Sequence, residues 1–313
     1  MPLYSMTRRG ALIAGSAGLV FACSGRPESA AQTDVSDGNW RPGPPLPFAV
    51  QEIYPALHEG KILLAGGFIS DGETISGPTD RHVVLDPKTG DWAEGKKLPK
   101  ALHHPRLISF KKHLVALGGF ASVSEDAAWQ MQSTVLALVD FALPASERTL
   151  PFGTVLMPPI DITEMWWPVE SLPKPNAEST AAVVNENLHI CGGRTPSGSA
   201  NAAWTDHTDI GDHYVLSDWS DTWQRAAPLP TARNSAADAL TENGWHVVGG
   251  RTVSSGNTPA HEVYDANEAR WRMAAPMPQG QGGLAAASVG GKLYGFAGEF
   301  YDSGGRVYPE ARV

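Results

Sequence analysis

The sequence is nearly without cysteine. Among 313 residues only Cys23 and Cys191 occur, so the chain cannot be a disulfide-stapled scaffold. A sizeable apolar core has to hold it instead, and a chain of this length can bury one. Basic clusters are also missing. Lysine and arginine number 24 against 33 aspartates and glutamates, a formal net charge of −9, with no basic run beyond the first ten residues. That balance argues against nucleic acid and against an anionic membrane surface as partners. The apolar run at residues 11–22 is too short to cross a bilayer as a helix. There is no phosphate loop, no zinc-ligand spacing and no nucleophile elbow.

The chain is rich in turn formers, with 33 glycines and 25 prolines, and its aromatics are spread along its length. This composition suits many short strands and does not suit long helices.

Residues 1–31 read as an export segment, and residues 32–313 as the folded domain. Thr7-Arg8-Arg9-Gly10 precedes the apolar run, and paired arginines in that position resemble a twin-arginine export signal. Ser29-Ala30-Ala31 offers small residues for cleavage. Val20-Phe21-Ala22-Cys23 resembles a lipoprotein box with a bulky Phe, which makes Cys23 an alternative lipid anchor. Either exit leads to a periplasmic or cell-envelope location.

Tryptophans stand at Trp40, Trp92, Trp166, Trp223 and Trp271. Seven residues after each comes a proline: Pro47, Pro99, Pro173, Pro230 and Pro278. Twenty-six residues after each comes a small pair: Gly66-Gly67, Gly118-Gly119, Gly192-Gly193, Gly249-Gly250 and Ala297-Gly298. A fixed spacing in five copies is the signature of a repeat architecture. Between tryptophan and glycine pair lie two β-rich runs around a tight turn, such as Glu242-Asn243-Gly244. Beyond the pair comes one more strand, such as His261-Glu262-Val263-Tyr264-Asp265. The spacing therefore predicts four strands per repeat, with an insertion between Gly118 and Trp166. The glycines let backbones crowd near an axis, and each tryptophan fills space between blades farther out.

The double glycine, the Tyr264-Asp265 turn and Trp271 resemble the kelch family, over roughly residues 40–313. The resemblance implies an all-β, kelch-type β-propeller with five recognisable four-stranded repeats. Residues 309–313 fall where a third strand would lie, and Trp40 heads an unpaired fourth strand. The expectation is an open ring that lacks a sixth blade. The alternative is a five-bladed ring closed by the Trp40 strand. The family includes protein-binding scaffolds, sugar-acid mutarotases and copper-radical oxidases, so the fold does not decide function.

Chemistry is expected at the mouth of the funnel, where loops of all blades converge. The position 14 before each small pair reads Glu52, His104, Glu178, Ser235 and Gly283. Glu52, His104 and Glu178 form a candidate acid–base crescent. Tyr54 and Arg106 stand two positions on, and Arg194, Arg251 and Glu299 follow the small pairs. With Arg233 and Asn234 these are candidate ligand contacts, because guanidinium groups match a carboxylate in bidentate fashion. The competing reading is that the arginines tie loops together. His103-His104 suggests a metal, but neighbours on a strand point to opposite sides and cannot readily share one ion. The copper-oxidase chemistry that the resemblance raises needs a Cys–Tyr crosslink, and Cys191 reads as a buried apolar residue without a Tyr-rich loop. No metal and no cofactor are expected. The reading is an exported monomeric binding propeller for an anionic sugar or a protein, with a sugar-acid mutarotase as the enzymatic alternative.

Overall fold

The structure, a computed structural model, describes residues 42–70, 75–124, 127–141, 163–301 and 307–308. The export segment, Trp40 and residues 309–313 lie outside the described residues, and with them the question of how the ring ends.

Tight turns bring consecutive apolar runs into antiparallel pairs, four strands at a time. Blade 1 comprises Ala56–His58, Lys61–Ala65, His82–Asp86 and Asp91–Glu94. Blade 2 comprises Arg106–Phe110, His113–Leu117, Val135–Asp140 and Glu164–Pro168. Blade 3 is built from Thr180–Val184, Asn187–Cys191, His213–Leu216 and Gln224–Arg225. Blade 4 is built from Ala237–Thr241, Gly244–Val248, His261–Asp265 and Arg270–Met273. The inner pair of a fifth blade, Ala285–Val289 with Lys292–Phe296, follows. The insertion falls between the third and fourth strands of blade 2, where residues 142–162 are not described. The innermost strands pack in chain order around one axis. The second strand of blade 2, His113–Leu117, is buried on both faces because blades cover it from both sides.

The repeat positions are the stitches between blades. The second glycine of each pair donates its amide to the next blade: Gly67 to Leu102 O at 2.8 Å, Gly119 to Asn176 O at 2.9 Å, Gly193 to Arg233 O at 2.8 Å and Gly250 to Gln281 O at 2.7 Å. No side chain fits at this crossing. A Cβ on Gly118, which has φ +55°, would sit 2.0 Å from Asn176 O. Farther out, the indoles of Trp166, Trp223 and Trp271 reach back one blade. Trp166 Nε1 donates to Lys96 O at 2.7 Å, Trp223 Nε1 to Glu170 O at 3.1 Å and Trp271 Nε1 to Ala227 O at 2.8 Å. Each acceptor lies four residues after the preceding tryptophan, so the bond repeats because the sequence repeats.

Trp223→Phe keeps most of the buried ring but leaves the Glu170 carbonyl without its donor. Urea denaturation of that variant should show a loss of about 1–2 kcal/mol. A midpoint equal to that of the native chain would mean that the indole acts by volume alone.

Candidate functional site

Five residues just before the innermost strands ring the axis, with His104, Glu178 and Ser235 buried, and all five have a left-handed backbone. Their φ values are 60° at Glu52, 54° at His104, 55° at Glu178, 50° at Ser235 and 64° at Gly283. The conformation lets the main chain bond around the axis: His104 N donates to Glu52 O at 3.1 Å, Ser235 N to Glu178 O at 2.9 Å and Gly283 N to Ser235 O at 2.9 Å. Holding bulky residues there costs on the order of 1 kcal/mol each, and it turns their side chains toward one another.

His104 is the centre of the crescent. Its Nε2 lies 2.5 Å from Glu52 Oε2 and 3.6 Å from Glu178 Oε1. The left-handed turn also brings His103 and His104 together, with their Nδ1 atoms 2.7 Å apart. Strand alternation does not anticipate this contact, because His104 is not extended. The protons follow from the partners. His103 Nε2 faces Ala128 O at 2.7 Å, and a carbonyl only accepts, so Nε2 carries the proton and Nδ1 accepts from His104. His104 then donates from both nitrogens and is an imidazolium. Burial opposes that charge, but the Glu52 and Glu178 carboxylates outweigh it and hold the His104 pKa above its ordinary value. Burial and the charge on His104 push His103 well below its own.

The arginines complete the charge balance. Arg251 reaches Ser235 Oγ at 2.8 Å, Glu178 Oε1 at 3.5 Å and the Glu299 carboxylate. Ser235 Oγ also donates to Glu178 Oε1 at 3.1 Å. Arg194 lies 3.3 Å above the ring of Trp204 and donates Nη2 to Trp204 O at 3.0 Å. Its Nη1 is 3.7 Å from Glu178 Oε2, an ion-pair distance too long for a hydrogen bond. Arg194 Nε and Nη1 and Glu178 Oε2 are buried without hydrogen-bond partners. Three carboxylates thus face an imidazolium and two guanidinium groups. Asn234 belongs to the same network through Ser235, at 3.1 Å, and binds Asp209 at 2.6 Å.

Arg106 and Arg233 stand elsewhere, while Tyr54 borders the crescent, its ring centre 6.0 Å from that of His104. Arg106 points down the axial channel to Asp238, an ion pair between blades 2 and 4, and Asp238 also accepts from Trp245 Nε1 at 3.0 Å. Tyr54 lies beside Arg106, whose guanidinium carbon is 5.5 Å from the ring centre. Burial, then Glu178 and Glu52, raise the Tyr54 hydroxyl, so it stays protonated. Arg233 is buried and spent on the fold. Its guanidinium donates to Gly249 O at 2.7 Å, Thr231 O at 2.8 Å and Val247 O at 3.0 Å, and pairs with Glu262 at 2.5 Å.

Sequence register puts Phe68 directly after its glycine pair but missed the tryptophans of an aromatic wall. Phe68 stacks on His103 at 3.9 Å, and Trp129 meets Trp204 at 5.1 Å. Trp204 comes from a 3-10 turn, Trp204–Asp206, and Trp129 from the connection after Gly119. Neither is at a repeat position, so the periodicity gave no signal for them. Among the described residues no group of three His, Cys, Asp or Glu side chains is arranged to hold a metal ion.

Four-stranded antiparallel sheets stacked face to face around one axis, with a polar mouth, define a β-propeller. No family model matches the sequence. Over 139 residues, 42% of this chain, it is 33% identical to Kelch-like protein 25 of Rattus norvegicus, and the match covers 22% of that protein. Over 246 residues, 77% of this chain, it is 24% identical to Kelch-like protein terF of Aspergillus terreus, covering 48% of it. The matched stretches thus span less than half the length of these relatives. The solved structure of YjhT superposes with a TM-score of 0.59 at 12% identity, over 83% of this chain and 80% of that one, a likeness of fold. The chain is a kelch-repeat β-propeller.

Proposed function

We propose that this propeller is a binding module of the cell envelope whose mouth receives an anionic sugar. The observation that supports the reading is Arg194. Its guanidinium is fixed on Trp204, buried, and left with two nitrogens that have no hydrogen-bond partner. Such a group is preorganised for a carboxylate, and the aromatic wall beside it offers a face for a sugar ring. Isothermal titration with a sialic-type sugar acid tests this. Arg194→Met should weaken binding by about tenfold or more. Equal binding of the acid and its neutral alcohol would point away from the arginine, and a protein ligand would then be the occupant to seek.

The His104 imidazolium between two carboxylates favours a second reading, a mutarotase-like enzyme. Glu178 would take a proton from the sugar and His104 would return one, while the arginines hold the carboxylate. Nuclear magnetic resonance exchange between the anomers should then speed up with native protein and not with Glu178→Gln. Binding without accelerated exchange leaves the module reading alone.

The envelope location rests on Arg8 and Arg9. Replacing both with Lys should strand the protein in the cytoplasm. Undiminished export of that variant would remove the twin-arginine reading. Retained labelling by a fatty acid after Cys23→Ser would remove the lipid-anchor alternative.

A further inference from the structure

A short hairpin follows the glycine pair in blades 2, 3 and 4. It pairs Phe120–Ala121 with Gln130–Met131, Arg194–Pro196 with His207–Asp209, and Arg251–Thr252 with Gly256–Asn257. Main-chain bonds alternate along an antiparallel pair, so every second residue turns its N–H and C=O away from its partner strand. In blade 2, Gln132 N donates to Gly119 O at 2.9 Å, which leaves the main-chain groups of Met131 facing outward, toward blade 3. Asn201, from the blade 3 hairpin, takes both. Met131 N donates to Asn201 Oδ1 at 2.9 Å, and Asn201 Nδ2 donates to Met131 O at 3.0 Å. One side-chain carboxamide thus completes the hairpin edge in bidentate fashion.

Asp209 holds the matching place in blade 3. Ile210 N donates to Gly193 O at 3.0 Å and Ser197 N to Asp206 O at 2.8 Å, so the alternation turns the N–H and C=O of Asp209 outward, toward blade 4. Its carboxylate is already engaged: Asn234 Nδ2 donates to Oδ1 at 2.6 Å and Val253 N to Oδ2 at 2.5 Å. Its main-chain pair is not taken up by any group among the described residues. The blade 4 hairpin turns back at Ser254-Ser255, and its own carboxamide, Asn257, points the other way and donates to Glu299 O. An open pocket of about 420 Å³ lies between the two hairpins. Thr208 and Asp209 line it from blade 3, and Ala232, Thr252 and Ser255 from blade 4, with no lysine or arginine. An occupant that satisfies Asp209 has to offer a donor and an acceptor side by side. A primary carboxamide does so. A carboxylate brings acceptors only, against the Asp209 carbonyl and carboxylate, and an ammonium brings donors only. A trans secondary amide points its N–H and C=O in opposite directions.

We propose that the pocket between the blade 3 and blade 4 hairpins binds the side-chain carboxamide of a glutamine or asparagine in an exposed peptide. Asp209 N donates to the amide oxygen and the amide nitrogen donates to Asp209 O, the pairing that Met131 and Asn201 make one blade earlier. The site is separate from the arginine crescent and does not depend on what the mouth binds.

The probe is the peptide Gly-Gln-Gly, blocked at both ends, with Gly-Glu-Gly and Gly-Met-Gly as controls of similar shape. Each is titrated into the isotope-labelled full chain and read at the Asp209 amide by NMR. The glutamine peptide should shift that resonance saturably and bind at least about tenfold more tightly than either control. Ala232→Trp and Ser255→Trp each fill the pocket and should weaken the glutamine peptide by a similar factor. A melting curve shows which variants are folded, and either folded variant alone decides the test. No shift at Asp209 in native protein, equal binding of the three peptides, or undiminished binding by a folded variant would each overturn the proposal. Loss of peptide binding in Arg194→Met, with binding kept in Ala232→Trp, would place the peptide in the mouth and overturn it as well. A mouth that binds no sugar acid leaves all of these outcomes unchanged.

Discussion

Glu262→Ala is expected to lower the unfolding free energy by about 3–5 kcal/mol, the cost of stranding a buried charge. Glu262 and Arg233 are both buried, and their carboxylate and guanidinium lie 2.5 Å apart. Arg233 keeps its three carbonyl acceptors in the variant, but its positive charge loses its counter-ion inside the protein. The pair spans the start of blade 4 and its third strand, so the loss falls on the blade's own assembly. Replacing both residues with methionine should recover much of the stability, because the desolvation of two ions disappears together with their attraction. Urea denaturation of the two singles and the double gives the cycle. A loss below about 1 kcal/mol for Glu262→Ala would mean that water reaches the pair.

Acid should destabilise the fold well before its carboxylates titrate. Burial lowers His189 and His213 to about 4; charge on His213 lowers His189 further, while the bond to Ala227 O partly offsets burial at His213. His246 and His207 are lowered to about 4 as well, burial again being the main cause. In the unfolded chain these rings take up protons near pH 6.5. Between pH 6.5 and about 4 the unfolded state therefore holds more protons, and stability falls as the pH falls through that window. The contribution is on the order of 3 kcal/mol for each of His189 and His213, and smaller for the partly exposed His246. His104 works in the opposite sense. Its pKa is raised, so its share of stability is complete below pH 6.5 and is lost as the pH rises through its folded value. Urea midpoints from pH 7.5 to 4 measure the sum. His189→Leu, the residue type that blade 1 carries at the matching position, Leu63, should flatten the acid limb. An unchanged slope in that variant would place the acid sensitivity outside the His189–His213 pair.

The propeller was legible because it is periodic. The spacings recur since three tryptophans make the same bond back to the preceding blade and the second glycines the same bond on to the next, and a bond that repeats in space has to repeat in sequence. The mouth was legible in part. Register alone placed Glu52, His104 and Glu178 on one ring, with Arg194, Arg251, Asn234 and Glu299 beside it. Arg233 shows where that reasoning stops. It directly precedes Asn234, yet its side chain turns into the blade because Glu262, 29 residues away in the chain, lies there to neutralise it.

The sequence by itself determined the strand count of each blade, the crossings at the double glycines and the ring of residues around the axis, since all follow from local spacing. Only the tertiary structure decided which charges meet. Arg106 and Asp238 pair across the channel from blades 2 and 4. His103 meets His104 because a left-handed φ reverses the expected alternation. Trp204 reaches Arg194 from an irregular turn. Side-chain ionisation depends on distances of a few ångströms between groups far apart in the chain, and no period in the sequence records those.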